Sequence, residues 1–432
     1  MLWKDKIDRK PLILKGARQV GKTYILKEFG KSAFPRFHYL NFEKHPGFIK
    51  IFEENLDPAR IVTAISFILD TAIDINKDLL IFDEIQVCPK ALTSLKYFCE
   101  DMPALAVCAA GSLLGVELTA EAFPVGKIDE LALHPLSYLE FLQGIGDHKS
   151  ADYLSSLTTL TPIPEFIHTH LWDRFKQYLI IGGLPEVINT YRKHADDLYT
   201  ALMSVRIKQN ELLHAYFSDI AKHSGKQNAL HIERLWRNIP AQLAKNQSGS
   251  APKFQFSEAG PGISRYAKLA GPLDWLSKAN LVLKSWIIES AQLPLPAYAT
   301  ENMFKLYLFD VGILGALCEL PPKTILNYDY GTYKGYVAEN FVAQELIAQG
   351  EKQLYSWRGK TSEIEFILEK EGKIIPLEVK SGEIINAKSL KVFIDHYRPS
   401  RSVILSARNV DSHSASHVIK LPLYLAGWLP RL

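Results

Sequence analysis

No pair of cysteines in the chain is spaced C-x-x-C: Cys88, Cys99, Cys108 and Cys318 are scattered over 432 residues. That spacing excludes a zinc ribbon or a thioredoxin-type redox motif and fits reduced, mostly buried thiols in a cytoplasmic protein. Long apolar runs are also missing. The longest uncharged run in the first part of the chain, Met102 to Val116, is too short to cross a bilayer. Met1 to Lys10 is charged throughout, unlike a secretory signal. The prediction is a cytoplasmic location and no membrane partner. A surplus of one charge is lacking too: the net charge is +3, too small to argue for nucleic-acid binding, so any basic surface must be local. What remains is an ordinary globular composition, 47% hydrophobic and 22% charged, with room for about two to four domains.

The strongest pattern is Pro11 to Phe29, PLILKGARQVGKTYILKEF. Leu12, Ile13 and Leu14 suit a short buried strand, and Ile25, Leu26 and Phe29 recur at helical spacing. Between them Gly16, Gly21, Lys22 and Thr23 match G-x4-G-K-[ST] in the strand–loop–helix context that this motif needs. Backbone N–H groups of such a loop can wrap a phosphate chain. The nucleotide-binding set is therefore Gly16, Ala17, Arg18, Gln19, Val20, Gly21, Lys22, Thr23 and Tyr24, with ATP and Mg²⁺ as expected ligands. Lys22 would reach the β- and γ-phosphates, and the Thr23 hydroxyl would ligate the metal.

Alternation of strands and helices continues through this region. Phe37 to Asn41, Leu79 to Phe82 and Ala104 to Ala110 read as strands, with helices near Ala59 to Ala72 and Ala91 to Cys99. This is the pattern of a parallel sheet with crossover helices. The strand LLIF ends in Asp83-Glu84 about sixty residues after the glycine loop. An acidic pair there completes an ATPase signature, Asp83 holding Mg²⁺ and Glu84 activating the attacking water. Ser112, at the end of the next strand, reads equally as a γ-phosphate sensor or as a turn serine.

Six runs carry a resemblance: RKPLILKGARQVGKTYIL, YLNFE, LLIFDEIQ, AAGSLLG, FPVGKIDELALHPLSYLEFL and YLIIGGLPEVI. Together they resemble a prokaryotic family that joins an AAA-type ATP-binding domain to a C-terminal domain of unknown function. The resemblance implies ATP binding and this architecture more than a biological task. Members usually carry arginine where this chain has Lys127 after Gly126, so it points to no arginine finger.

The middle of the chain is less telling. Gly144 to Pro164 is polar and proline-containing, and Gly182-Gly183-Leu184-Pro185 reads as a break between helices. His168 and His170 sit two apart, and His413 and His417 lack a third neighbour, so both pairs read as structural rather than metal-binding. Helical patterns at Ile232 to Leu243 and Arg265 to Lys278 precede strands at Leu281 to Ile288 and Phe304 to Phe309. That order suggests a winged helix-turn-helix, with Arg265 and Lys268 able to meet DNA phosphates, or else a module for protein contacts.

The last hundred residues hold a second set of charges. Glu339 lies on an amphipathic pattern, Tyr336 to Ile347, and EIEFIL and IIPLEVK read as paired strands. Alternation puts Glu363 with Glu365 on one face and Glu378 with Lys380 on one face. Carboxylates from a helix and two strands, with a lysine, suit a Mg²⁺-dependent nuclease site. The set resembles the restriction-endonuclease-like PD-(D/E)xK fold, with Glu339, Glu365, Glu378 and Lys380 on its positions and glutamate where aspartate is usual. A non-cleaving copy used only for binding is the alternative.

The expected fold class is α/β: a P-loop NTPase parallel sheet over 1–145, a helical linker or lid over 146–225, a winged-helix-like domain over 226–320 and a restriction-endonuclease-like domain over 321–432. The expected function is an ATPase coupling nucleotide state to a C-terminal module that binds DNA or a protein. The alternatives are an ATP-regulated nuclease and a slow nucleotide switch. An oligomer is allowed by this reading and not required by it.

Overall fold

The computed structural model describes residues 3–111, 124–247, 253–256, 266–328, 331, 333–383, 387–411 and 417–431. The chain divides into two compact units, one of Met1–His134 with Lys278–Asn280 and one of Pro135–Ser277 with Leu281–Leu432.

The first unit is a five-stranded parallel sheet. Its strands are β1 (Leu12–Lys15), β2 (Phe37–Asn41), β3 (Leu79–Asp83), β4 (Ala106–Ala110) and β5 (Asp129–Ala132), in the order β2-β3-β4-β1-β5. Helices α1 (Lys22–Ala33), α2 (Pro58–Ile68) and α3 (Pro89–Asp101) connect them. Side chains alternate across a strand, and the two faces of this sheet are cored separately as a result. Leu12, Leu14, Leu79, Ile81 and Cys108 pack with Leu26 and Phe34, while Ile13, Leu80, Phe82 and Val107 pack with Ile61, Ile65, Leu95 and Phe98. Both faces are thus apolar, as parallel strands covered on two sides require. Helix α2 starts on an Asp57 cap accepting the Ala59 N–H at 3.2 Å, with Pro58 at its first position. It ends at Ile68, short of the predicted Ala72, where Asp70 turns left-handed at φ 47°.

The second unit begins with helices Tyr138–Gly144, His148–Ser156, Glu165–Ile181, Pro185–Lys193 and Leu198–His223, so the polar stretch before Pro164 contains a helix of its own. Gly182-Gly183 separates two of these helices, as expected. Gly182 has φ 76°, and the Gly183 N–H donates to buried Asp310 at 2.7 Å. Helices Lys226–Gln247 and Tyr266–Lys278 follow, the latter a single helix containing Pro272 rather than a broken pair.

Strands β6 (Val282–Ile288) and β7 (Ala299–Leu308) pair antiparallel, as a wing would, but β6 also pairs in parallel with β8 (Leu354–Arg358). With β9 (Glu363–Ile364) they form a four-stranded sheet, β7-β6-β8-β9. The backbone edge of β6 that faces away from β7 is thus hydrogen-bonded to β8 rather than left open. A second sheet runs β10-β11-β12-β13, from β10 (Phe366–Lys370), β11 (Lys373–Val379), β12 (Ser402–Ser406) and β13 (Val418–Pro422). The β10–β11 hairpin turns through Glu371 and Gly372, both at positive φ. Ile288, Trp357, Ile364, Ile367, Phe393 and Ile404 make a core between sheet strands and the helix Lys388–Tyr397. No helix among the described residues is long and apolar enough to cross a membrane.

Candidate functional site

The glycine loop leaves β1 with Gly16 at φ 152° against Leu133: a Cβ there would lie 2.2 Å from the Leu133 carbonyl oxygen. Gln19 at φ 66° and Gly21 at φ 96° turn the loop into the start of α1. Gly21 occupies the cap position with no side-chain cap, and the first turn of α1 holds no acidic residue. The leading N–H groups of the helix are therefore left to a ligand rather than to the protein, and the end of the dipole is positive. Lys22 is 7% exposed and its Nζ donates to the carbonyl oxygens of Gly16 at 3.0 Å and Ala17 at 2.7 Å, which keeps the ammonium inside the loop. Burial pulls its pKa down to about 8, against the opposing pull of Glu84 and Asp83. Ala17 and Val20 are buried as supports of the loop, whereas Tyr24 is exposed on α1.

Sixty residues on, β3 delivers Asp83 beside Thr23. The Thr23 hydroxyl donates to Asp83 Oδ2 at 2.9 Å. Tyr39 OH donates to the same oxygen at 2.6 Å, and Asn41 Nδ2 at 3.2 Å. Asp83 is 2% exposed. A carboxylate holding three donors on one oxygen is fixed in place. Glu84 follows in the left-handed region at φ 51° and ψ 45°, which a residue with a Cβ adopts at a cost of roughly 1–3 kcal/mol and which recurs at functional sites. Gln86 Nε2 donates to its Oε2 at 2.7 Å, and burial raises its pKa above the usual glutamate value.

This donor set suits a triphosphate with Mg²⁺: an uncapped helix start and a lysine for phosphate oxygens, a hydroxyl and a carboxylate for a hard cation. The loop residues, Lys22, Thr23, Asp83 and Glu84 come together where the pattern predicts. Ser112 lies outside the described residues. Tyr39 and Asn41 went unassigned in the sequence. Their signal was the YLN run ending β2, whose register sets Asn41 opposite Asp83.

In the second unit the C-terminal charges also converge, but with an unforeseen member. Lys305 on β7 is 3% exposed, pairs with Glu363, and lies 3.8 Å from Glu339 Oε2. Burial opposes its charge, yet Glu339 and Glu363 hold its pKa above the ordinary lysine value. Tyr307 OH donates to Glu339 Oε2 at 2.9 Å. Lys380 Nζ lies 2.7 Å from Glu378 Oε1 and 3.9 Å from Glu365 Oε1, while the Val379 N–H donates to Glu365 Oε2 at 3.0 Å. Burial raises both Glu365 and Glu378 above the ordinary range; the Glu378 charge adds to this at Glu365, whereas Lys380 opposes it at Glu378. Glu378 Oε2 is buried with no hydrogen-bond partner among the described residues. Among the described residues, no group of three or more His, Cys, Asp or Glu side chains is arranged to hold a metal ion.

His168 Nδ1 bonds Tyr424 OH at 2.7 Å and His170 Nε2 bonds Asp147 at 2.8 Å; His413 and Arg265 lie outside the described residues, as does the Lys268 side chain.

Residues 8–142 match the family described as an AAA domain, which makes this part of the first unit an AAA-type P-loop domain of the ATP-binding class. Residues 173–324 and 334–424 match two domains of unknown function, DUF8612 and DUF4143. Among solved structures, the chain is similar to a Walker-type ATPase of Pyrococcus abyssi at 15% identity, covering 73% of this chain and 93% of that one with a TM-score of 0.45. PCH-2 of C. elegans is 13% identical over 48% of this chain and 63% of that one, with a TM-score of 0.27. Cdc6p from Pyrobaculum aerophilum is 13% identical over 74% and 88%, with a TM-score of 0.22. No curated protein matches the chain.

Proposed function

We propose that the chain hydrolyses ATP and couples nucleotide state to its second unit. The observation that carries this reading is the Thr23–Asp83 contact at 2.9 Å with Glu84 next in sequence, since it joins the phosphate loop to the acidic strand end. Lys22 and the leading N–H groups of α1 bind the β- and γ-phosphates. Thr23 and Asp83 would hold Mg²⁺, which would supply positive charge to the phosphate oxygens. Tyr39 and Asn41 hold Asp83 in position. Glu84, its pKa raised by burial, accepts the proton from the water that attacks the γ-phosphorus as the bond to the leaving ADP oxygen breaks. Phosphate release should vanish in Lys22→Ala together with nucleotide binding. In Glu84→Gln, turnover should fall about 10²- to 10⁴-fold with ATP affinity kept. Equal turnover in Glu84→Gln and the unmodified chain would sink the assignment of the base.

For the C-terminal cluster, binding is favoured over cleavage. What supports this is Lys305, which already supplies a cation to Glu339 and Glu363 from inside the core. Supercoiled plasmid incubated with Mg²⁺ or Mn²⁺ and ATP should stay intact. Nicking that disappears in Glu378→Ala and Lys380→Ala would establish the nuclease instead.

A further inference from the structure

The second unit contains a cavity of about 250 Å³ whose lining includes one buried acid, Glu345. Glu345 sits on the helix Tyr333–Ala348, is 2% exposed, and accepts the Tyr138 N–H on Oε1 at 2.7 Å. Among the described residues no lysine or arginine pairs with it. Its other oxygen lies beside Gly427, where a Cβ would stand 2.8 Å from Oε2, so only a glycine leaves that oxygen room. A buried carboxylate without a counter-cation is costly, and a cavity beside it is room for one.

The rest of the lining specifies the kind of cation. Tyr138, Tyr424 and Trp428 face the cavity together with three leucines and Gln349. The polar ends of the aromatics are engaged elsewhere: Tyr138 OH donates to the Leu171 carbonyl at 2.7 Å, Tyr424 OH bonds His168 at 2.7 Å, and Trp428 Nε1 donates to the Leu157 carbonyl at 3.3 Å. What these three offer a ligand is ring surface, which attracts organic cations. A bare metal ion would find one carboxylate and no further charged oxygen here, whereas an ammonium group with a hydrocarbon body uses every surface present. We propose that this cavity binds a small organic ammonium ion, with Glu345 as its counter-charge and the rings of Tyr138, Tyr424 and Trp428 as its walls.

Binding carries a proton signature. Burial pushes the Glu345 carboxyl up to about 8, the Tyr138 N–H lowering it and Glu140 raising it. The other charged or titratable groups nearby are Tyr178 beside Glu345, the Asp147–Arg174 pair beside Tyr138, and Tyr153, Glu165 and His168 beside Tyr424. At neutral pH the acid is mainly protonated, so an arriving ammonium draws off its proton. The site is independent of the ATPase reading.

Calorimetric titration of benzylammonium chloride into the full chain at neutral pH, in two buffers of different ionisation enthalpy, tests this directly. Benzylammonium should bind with proton release, and benzyl alcohol, its neutral analogue, roughly tenfold or more weakly. Glu345→Gln keeps an acceptor for Tyr138 and should lose both that preference and the proton release, with its fold checked by circular dichroism. Gly427→Ala should weaken benzylammonium binding. Equal affinity for the two compounds in the unmodified chain, unchanged binding in a folded Glu345→Gln, or no benzylammonium binding would each overturn the proposal. The comparison of the two compounds decides it even if the variants do not fold.

Discussion

Lys22 shows how burial turns a common residue into a sensitive one. An exposed lysine stays charged to about pH 10, but inside the loop its pKa is pulled down to about 8. Phosphate binding needs the protonated ammonium, so the sign follows: affinity for ATP is full below pH 8 and declines above it. A fluorescent ATP analogue should bind about tenfold more weakly for each pH unit beyond that point. A flat profile to about pH 9.5 would show that the loop carbonyls hold the ammonium charged despite its burial. Residue identity alone conveyed Lys22, Thr23, Asp83 and Glu84, because the chemistry of phosphate and Mg²⁺ demands those types at those places. Tyr39 and Asn41 were not legible in the same way. Their meaning lies in strand register, and register is set by the packing of β2 on β3 rather than by any local pattern.

Among the elements, those with a strict period declared themselves. Leu12 and Leu14 against Ile13, or Leu79 and Ile81 against Leu80 and Phe82, split between two cores just as alternation requires. The wing-like strands were misleading for a physical reason: β6 is satisfied on its second edge by β8, a contact that no local sequence encodes. Lys305 escaped notice for the same cause, being a lysine in the buried half of β7 whose partners lie on other elements. The helix break at Gly182-Gly183 was legible, but its anchor was not. A Cβ at Gly183 would meet the Leu136 carbonyl oxygen at 2.2 Å, while one at Gly271, inside a helix, would meet nothing within 4 Å. Gly183→Ala should therefore destabilise the chain by roughly 2–3 kcal/mol. Gly271→Ala should change stability by less than about 0.5 kcal/mol, the gain in helix propensity being offset by crowding against Pro272. Urea denaturation of the two variants checks the contrast, and similar midpoints would refute it.

At the scale of the whole molecule, the second unit cannot be cut where its composition changes. Starting a fragment near Pro321 removes β6 and leaves β8 with an open edge. Residues 321–432 expressed alone should be insoluble or bind hydrophobic dye, whereas 135–432 should give a cooperative melt. A well-dispersed NMR spectrum from the short fragment would show that β8 does without its partner.

The same pairing bears on how the chain is made. The Ser356 hydroxyl reaches the Trp286 carbonyl across 70 residues of sequence. At a synthesis rate of roughly 5–20 residues per second, β6 leaves the ribosome several seconds before the strand that covers it. During that interval the nascent hairpin carries an edge of unpaired N–H and C=O groups, and a pause in translation over the helix Tyr333–Ala348 would lengthen its exposure to chaperones and to neighbouring nascent chains.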